Sequence, residues 1–176
     1  MIKHRPLLHL VWAHRHSVSV GALVILFGLS GCASIAPPRS AQGSYLDRAK
    51  TQVASDVSVT VAVPTAYEAR QIFDADLARR QMQAVWLEVE NNGPVPLWLM
   101  SSGIDPHYFS PAEAAARLGG GEEKRRELEA HFLSEGFNNP TMPGEVQSGF
   151  VLVNLDEGIK VVDVDLIGRG VFHTFG

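Results

Sequence analysis

The 176-residue chain has one cysteine, so no intrachain disulfide can staple it. It also lacks a run of about 20 apolar residues, the length a transmembrane helix needs. The most apolar stretch, residues 17–29, is uncharged but shorter than that. Acidic residues are missing from the first 31 positions, where the only Lys or Arg residues are Lys3, Arg5 and Arg15. The rest of the chain therefore holds 12 of the 15 Lys and Arg against all 19 Asp and Glu, a formal charge of −7. Nucleic acid is excluded as a partner, because phosphate contacts need clustered cations. An anionic lipid surface exerts no electrostatic pull on such a domain either. No internal repeat is visible.

Reagents for catalysis are scarce as well. Past residue 32 there are three histidines, His107, His131 and His173, with no His-x3-His or His-Glu-x-x-His spacing to hold a metal. A Gly-x-Ser-x-Gly elbow is absent: Gln147-Ser148-Gly149 lacks the first glycine and falls in a strand pattern. Gly119-Gly120-Gly121 has Lys124 nearby but no Gly-Lys-Ser/Thr, and so reads as a helix break. No cofactor is called for.

What the amino terminus does have is an ordered set of signals. A basic leader with Lys3, Arg5 and Arg15 precedes the apolar run, which ends in Leu29-Ser30-Gly31-Cys32. Basic region, apolar region of about 7–15 residues and small residues at the end describe a secretion signal. The last four residues resemble the bacterial lipobox, Leu-(Ser/Ala)-(Gly/Ala)-Cys. The resemblance implies that the Cys32 sulfur receives a diacylglycerol and that a dedicated peptidase cuts before it. The new amine is then usually acylated. At about 0.8 kcal/mol per buried methylene, two or three acyl chains make a stable anchor. Ala33 rather than Asp after the cysteine resembles cargo sorted to the outer membrane, facing the periplasm. The lone cysteine is thereby accounted for without a reactive thiol.

Three regions are expected: a signal at 1–31, a Pro-, Ser- and Gly-rich flexible tether at 32–44, and one β-rich domain at 45–176. Val57 to Val63 alternates large and small residues, a strand pattern that Pro64 stops. Thr65 and Glu68 form a capping box for a helix expected over 66–80. The next strand spans 82–90, with Ala84, Trp86, Glu88 and Glu90 on one side and Val85, Leu87 and Val89 on the other. Asn91-Asn92-Gly93 predicts a hairpin into a strand at 97–100. Ser110, Pro111 and Glu113 predict a capped helix to Leu118. A second helix is expected over 122–135 with Leu128, Phe132 and Leu133 as its apolar stripe. Strands at 145–154 and 158–167 are expected to form a hairpin through Asp156-Glu157-Gly158.

Strands joined by turns, with helices in two excursions, favour a mainly β, antiparallel sandwich, and an α+β two-layer fold is the alternative. The pattern over 57–167 resembles immunoglobulin-like domains of bacterial surface lipoproteins. Several blocks, among them Val85-Trp86-Leu87-Glu88-Val89-Glu90-Asn91 and Asp105-Pro106-His107-Tyr108-Phe109-Ser110-Pro111, also resemble an uncharacterised proteobacterial lipoprotein family. Some members of that family carry a downstream LssY-type domain, for which this chain has no room.

The most unusual polar cluster is Asp105, His107 and Tyr108 around Pro106. One reading is a binding loop or a carboxylate–imidazole pair for acid–base work. The other is a turn in which Asp105 bonds the backbone while Tyr108 and Phe109 anchor the loop in the core. His131 shares a helix face with Glu127 and Glu135, which reads as a charged, exposed face rather than a metal site. Glu88 with Glu90, and Asp163 with Asp165, read as solvent faces of strands, and Trp86 and Trp98 as core or edge anchors. The sequence thus points to a lipid-anchored envelope protein with a non-catalytic binding or structural domain and an envelope protein partner. The alternative is an accessory or small enzyme of envelope lipid metabolism using the Asp105–His107 loop.

Overall fold

Alternation drives the first sheet. In a computed structural model, which describes residues 44–158 and 160–176, a 3-10 turn over Ser44–Arg48 leads into β1 (Lys50–Ala54). Leu29, Ser30, Gly31, Cys32 and the tether up to residue 43 lie outside the described residues. β1 folds back on β2 (Val57–Ala62) through a tight turn in which Ser55 takes a left-handed φ of 54°. Pro64 ends the strand region, and α1 (Ala66–Phe73) starts at the expected capping box: Thr65 Oγ1 accepts from Glu68 N–H, and the Glu68 carboxylate accepts from Thr65 N–H.

β3 (Met82–Asn91) is the spine of the fold. It pairs with β2 on one side and, over all ten residues, with β5 (Glu145–Asn154) on the other. The four-stranded antiparallel sheet runs β1-β2-β3-β5. β4 (Trp98–Met100), β6 (Val164–Gly168) and β7 (Val171–Phe175) make a second antiparallel sheet in the order β4-β6-β7. Between the sheets lies a core of Val59, Val85, Leu87, Val89, Leu99, Val153, Val164 and Leu166.

The opposite face of β3 is buried too. Met82, Ala84 and Trp86 meet Phe73 and Leu77 from the α1 region, Ala114 and Ala115 of α3 (Pro111–Leu118), and Leu128 and Phe132 of α4 (Glu122–Glu135). A short helix, α2 (Ser101–Ile104), follows β4. The molecule is thus mainly β, two facing antiparallel sheets with helices laid over the outer face of the larger one. Each large apolar side chain buried this way contributes roughly 1.5–3 kcal/mol. The strand order differs from the immunoglobulin arrangement. There the third strand crosses to the second sheet; here β3 stays and β4 crosses.

Several boundaries differ from expectation for local reasons. α1 stops at Phe73 rather than Arg80 because Asp74 turns left-handed at φ 48°, while Arg70 pairs with Asp76 and Leu77 drops back into the core. Asn91-Asn92-Gly93 is no hairpin. The buried Asn91 side chain donates to Val95 O at 2.8 Å and Thr141 O at 3.0 Å and accepts from Gly93 N–H, steering the chain to the other sheet. β5 and the late strand do not pair either: β6 begins only at Val164 and its partners are β4 and β7. β1, α2 and β7 have no counterpart in the sequence reading.

Candidate functional site

The Asp105 cluster forms where α2 ends beside the carboxyl end of β5. Gly103 lets α2 sit against β6, since a Cβ there would come within 2.8 Å of the Asp165 carboxylate. Asp105 follows in extended backbone and is buried. Its Oδ1 accepts from His107 N–H at 2.8 Å and its Oδ2 from Asn154 N–H at 3.1 Å. Asn154 Nδ2 lies near both oxygens and donates to His107 O at 3.2 Å. Lys160, whose side chain is only 9% exposed, places Nζ 3.6 Å from Asp105 and 2.5 Å from Asp156. Burial by itself would raise the Asp105 pKa. The bonds from His107 N–H and Asn154 N–H, then the Lys160 charge, outweigh it and hold the carboxyl below the usual range.

This geometry decides what Asp105 can do. A good general base titrates near the working pH and keeps a lone pair for the substrate proton. Asp105 is pulled the other way, and its oxygens are occupied by donors of its own chain. His107 is exposed and joins the network through its main chain, so the carboxylate–imidazole pair is not formed. The turn reading holds with one correction. Phe109 packs against the helix-side core and bonds Leu152 O at 2.8 Å, whereas Tyr108 is exposed and anchors nothing.

Lys160 is a member of the cluster that sequence reasoning missed. Its i,i+4 spacing to Asp156 was a usable signal; its approach to Asp105, far away in sequence, had none. Lys160 also lines two adjoining cavities. One, of about 390 Å³, opens where Val63 and Pro64 leave β2, with Leu77, Met82 and Gln83 in its wall. Gln83 Nε2 is buried there without a hydrogen-bond partner among the described residues. The other, of about 370 Å³, lies between β2 and residues 160–164 and is walled by Val59, Val61, Val162, Val164 and Phe175. Both fall in the roughly 300–1,000 Å³ range of small-molecule sites.

The remaining sequence candidates disperse. His131 is not on an open charged face: its Nε2 sits 2.9 Å from Ile72 O and its ring meets Phe73 edge-on, tying α4 to α1. Among the described residues no three His, Cys, Asp or Glu side chains converge on a metal position. Leu128 and Phe132 are the buried stripe of α4, and Leu133 is exposed, since a five-residue step from Leu128 rotates it off the face. Glu90 is exposed, while Trp86, on the same face of β3, lies under the helices. Asp165 accepts from Thr174 Oγ1 at 2.8 Å. Gly149 is fixed by packing, because a Cβ would strike Gly136 O and Phe137 N at 2.5 Å. No helix among the described residues is long and apolar enough to cross a membrane.

Sequence reasoning missed one surface. On the outer face of the small sheet Trp98 stands opposite Ile167, and Ile167 opposite Phe172. The three are 43%, 43% and 64% exposed, an apolar row across all three strands. Comparison with known proteins returned no match to a family model, a curated protein or a solved structure.

Proposed function

We propose that the chain is a lipoprotein of the bacterial cell envelope, anchored in the outer membrane through acyl chains on Cys32. Its domain is a non-catalytic binding or structural module facing the periplasm. The observation that carries this reading is the succession of basic leader, apolar run and Leu29-Ser30-Gly31-Cys32 in a chain with no other cysteine. Two structural features support the non-catalytic part. The Asp105 carboxylate is committed to its own backbone, and the exposed row Trp98–Ile167–Phe172 is the kind of apolar patch that marks a protein partner's docking face.

Metabolic labelling tests the anchor. The native chain should incorporate labelled palmitate and fractionate with the outer membrane. Cys32→Ala should lose the label and remain as uncut precursor. Palmitate retained by Cys32→Ala would overturn the assignment. For the partner, cross-linking in intact cells through a photoreactive group at Phe172 should give one discrete adduct, and Trp98→Asp should abolish it.

A further inference from the structure

The larger sheet outruns the smaller one. β2 and β3 have six and ten residues, against three, five and five in β4, β6 and β7. Beyond Val164, where β6 begins, the inward positions Val61 and Val63 run past the strands of the smaller sheet. With residues 160–162, Val164 at the start of β6 and Phe175 at the end of β7 they line the cavity of about 370 Å³. Its wall is aliphatic and aromatic, and Val161 at the mouth is 72% exposed. Its rim also holds Gln52, which donates to Gly176 O at 2.7 Å, and the charged side chains in its lining are the cations Arg48, Lys50 and Lys160. In a domain of formal charge −7 that is a local inversion. Arg48 is held by Glu68 and Lys160 by Asp156 and Asp105. Among the described residues Lys50 makes no ion pair, and it stands exposed on β1 beside the opening.

An apolar slot with an uncommitted cation at its mouth fits one chemistry. We propose that this cavity binds a single-chain anionic amphiphile, its acyl chain between Val61 and Val162 and its carboxylate or phosphate beside Lys50. Burial of methylenes supplies the affinity, and an exposed ion pair adds selectivity rather than strength. Free fatty acid and lysophospholipid share this chemistry. The proposal deepens the binding-module reading but does not need Cys32, because it rests on described residues alone.

The test uses the full chain carrying Cys32→Ala, so that its failure and failure of the anchor stay separate. Displacement of a fluorescent polyene fatty acid is measured with palmitate, hexadecanol and lysophosphatidylglycerol. Palmitate or the lysophospholipid should displace it saturably, and the stronger of the two identifies the source. Hexadecanol should bind about threefold to fivefold more weakly than palmitate, the worth of one exposed ion pair. Lys50→Glu should erase that difference. Val61→Phe, which fills the slot, should weaken all three ligands by about tenfold. If Val61→Phe loses its native circular dichroism, Val161→Asp at the exposed mouth replaces it with the same expected direction. Absence of saturable displacement overturns the proposal. So does displacement that folded variants at positions 50 and 61 (or 161) leave unchanged.

Discussion

Two carboxylates, Asp105 and Glu68, are each surrounded by donors, yet they do different work. Glu68 sits at the rim of α1, where Arg48 approaches to 2.5 Å and Thr65 gives N–H at 2.7 Å and Oγ1 at 2.9 Å, with Ser44 Oγ alongside. The Arg48 bond is the largest influence; burial opposes it next, and the bonds from Ser44 and Thr65 add to Arg48 to bring the pKa down to about 2. Asp105 has only one distant cation, but it is buried and its main donors are main-chain N–H groups of two separate segments. Glu68 ties one turn to one helix with partners that reach water. Asp105 joins the end of α2, the end of β5 and the Lys160 segment through a side chain only 10% exposed. The number of bonds is similar; the cost of losing them is set by whether the abandoned donors can be rehydrated.

Asp105→Ala is therefore the variant with the largest expected effect. It strands the N–H groups of His107 and Asn154 and leaves Lys160 with Asp156 alone. Lys160 keeps its closer partner, so the loss comes from the stranded donors, about 1–3 kcal/mol for each that water cannot reach, read as a lower midpoint in urea unfolding. His107→Ala should cost almost nothing, because its main chain is what the network uses. A large loss from His107→Ala, or a small one from Asp105→Ala, would break the contrast.

Glu68→Gln comes next. Arg48 is about half exposed, with 47% of its side chain open to solvent, so screening reduces the pair well below what the shifted pKa suggests, to about 1 kcal/mol. The pH dependence sharpens this. Both carboxyls titrate lower in the folded state than in the unfolded one, so the unfolded state binds more protons as pH falls. Their stabilisation is present above the unfolded carboxyl pKa of about 4 and is lost on acidification through the folded value. For Glu68 that window runs from roughly pH 5 down to the folded pKa of about 2. Glu68→Gln should flatten the acid limb of the stability curve in that window without moving the neutral plateau's slope. An acid limb identical to that of the native chain would refute the assignment of the shift to Glu68.

These nodes also mark how far the sequence could be read. The Thr65–Glu68 capping box was legible because its partners lie three residues apart, and Ser110 was legible as an N-cap, though the return bond from Glu113 came only with the structure. The alternating strand around Val57–Ala62 was legible for the same local reason. The Asp105 node was half legible: an aspartate two residues before its N–H partner is a local turn, but Asn154 and Lys160 arrive through folding. The false hairpins show the same limit from the other side. Asn91-Asn92-Gly93 has hairpin composition, yet Asn91 spends its side chain on Thr141 O, fifty residues away, and pairing followed that bond. β7 was missed because Val171–Phe175 is short and its inward residue, Phe175, acquires meaning only opposite Val164.

The smallest expected effect separates the capping box from the cation beside it. Ser110–Glu113 repeats Thr65–Glu68: Ser110 N–H and Oγ both reach Glu113 Oε2, at 2.8 and 2.7 Å. No arginine joins them, and Glu113 is lowered by the Ser110 side chain first and its N–H second, without the drop to about 2 that Arg48 adds at Glu68. Ser110→Ala removes the first of these donors and keeps the second. The Glu113 carboxyl should then titrate closer to the ordinary glutamate range, followed by its side-chain carbon shift in NMR, while Glu68 in the same spectrum stays where it was. Arg48→Met should do the converse, raising Glu68 toward the Glu113 value and leaving Glu113 still. If Arg48→Met leaves Glu68 at about 2, the hydroxyl and amide donors alone hold it there, and the two boxes are equivalent.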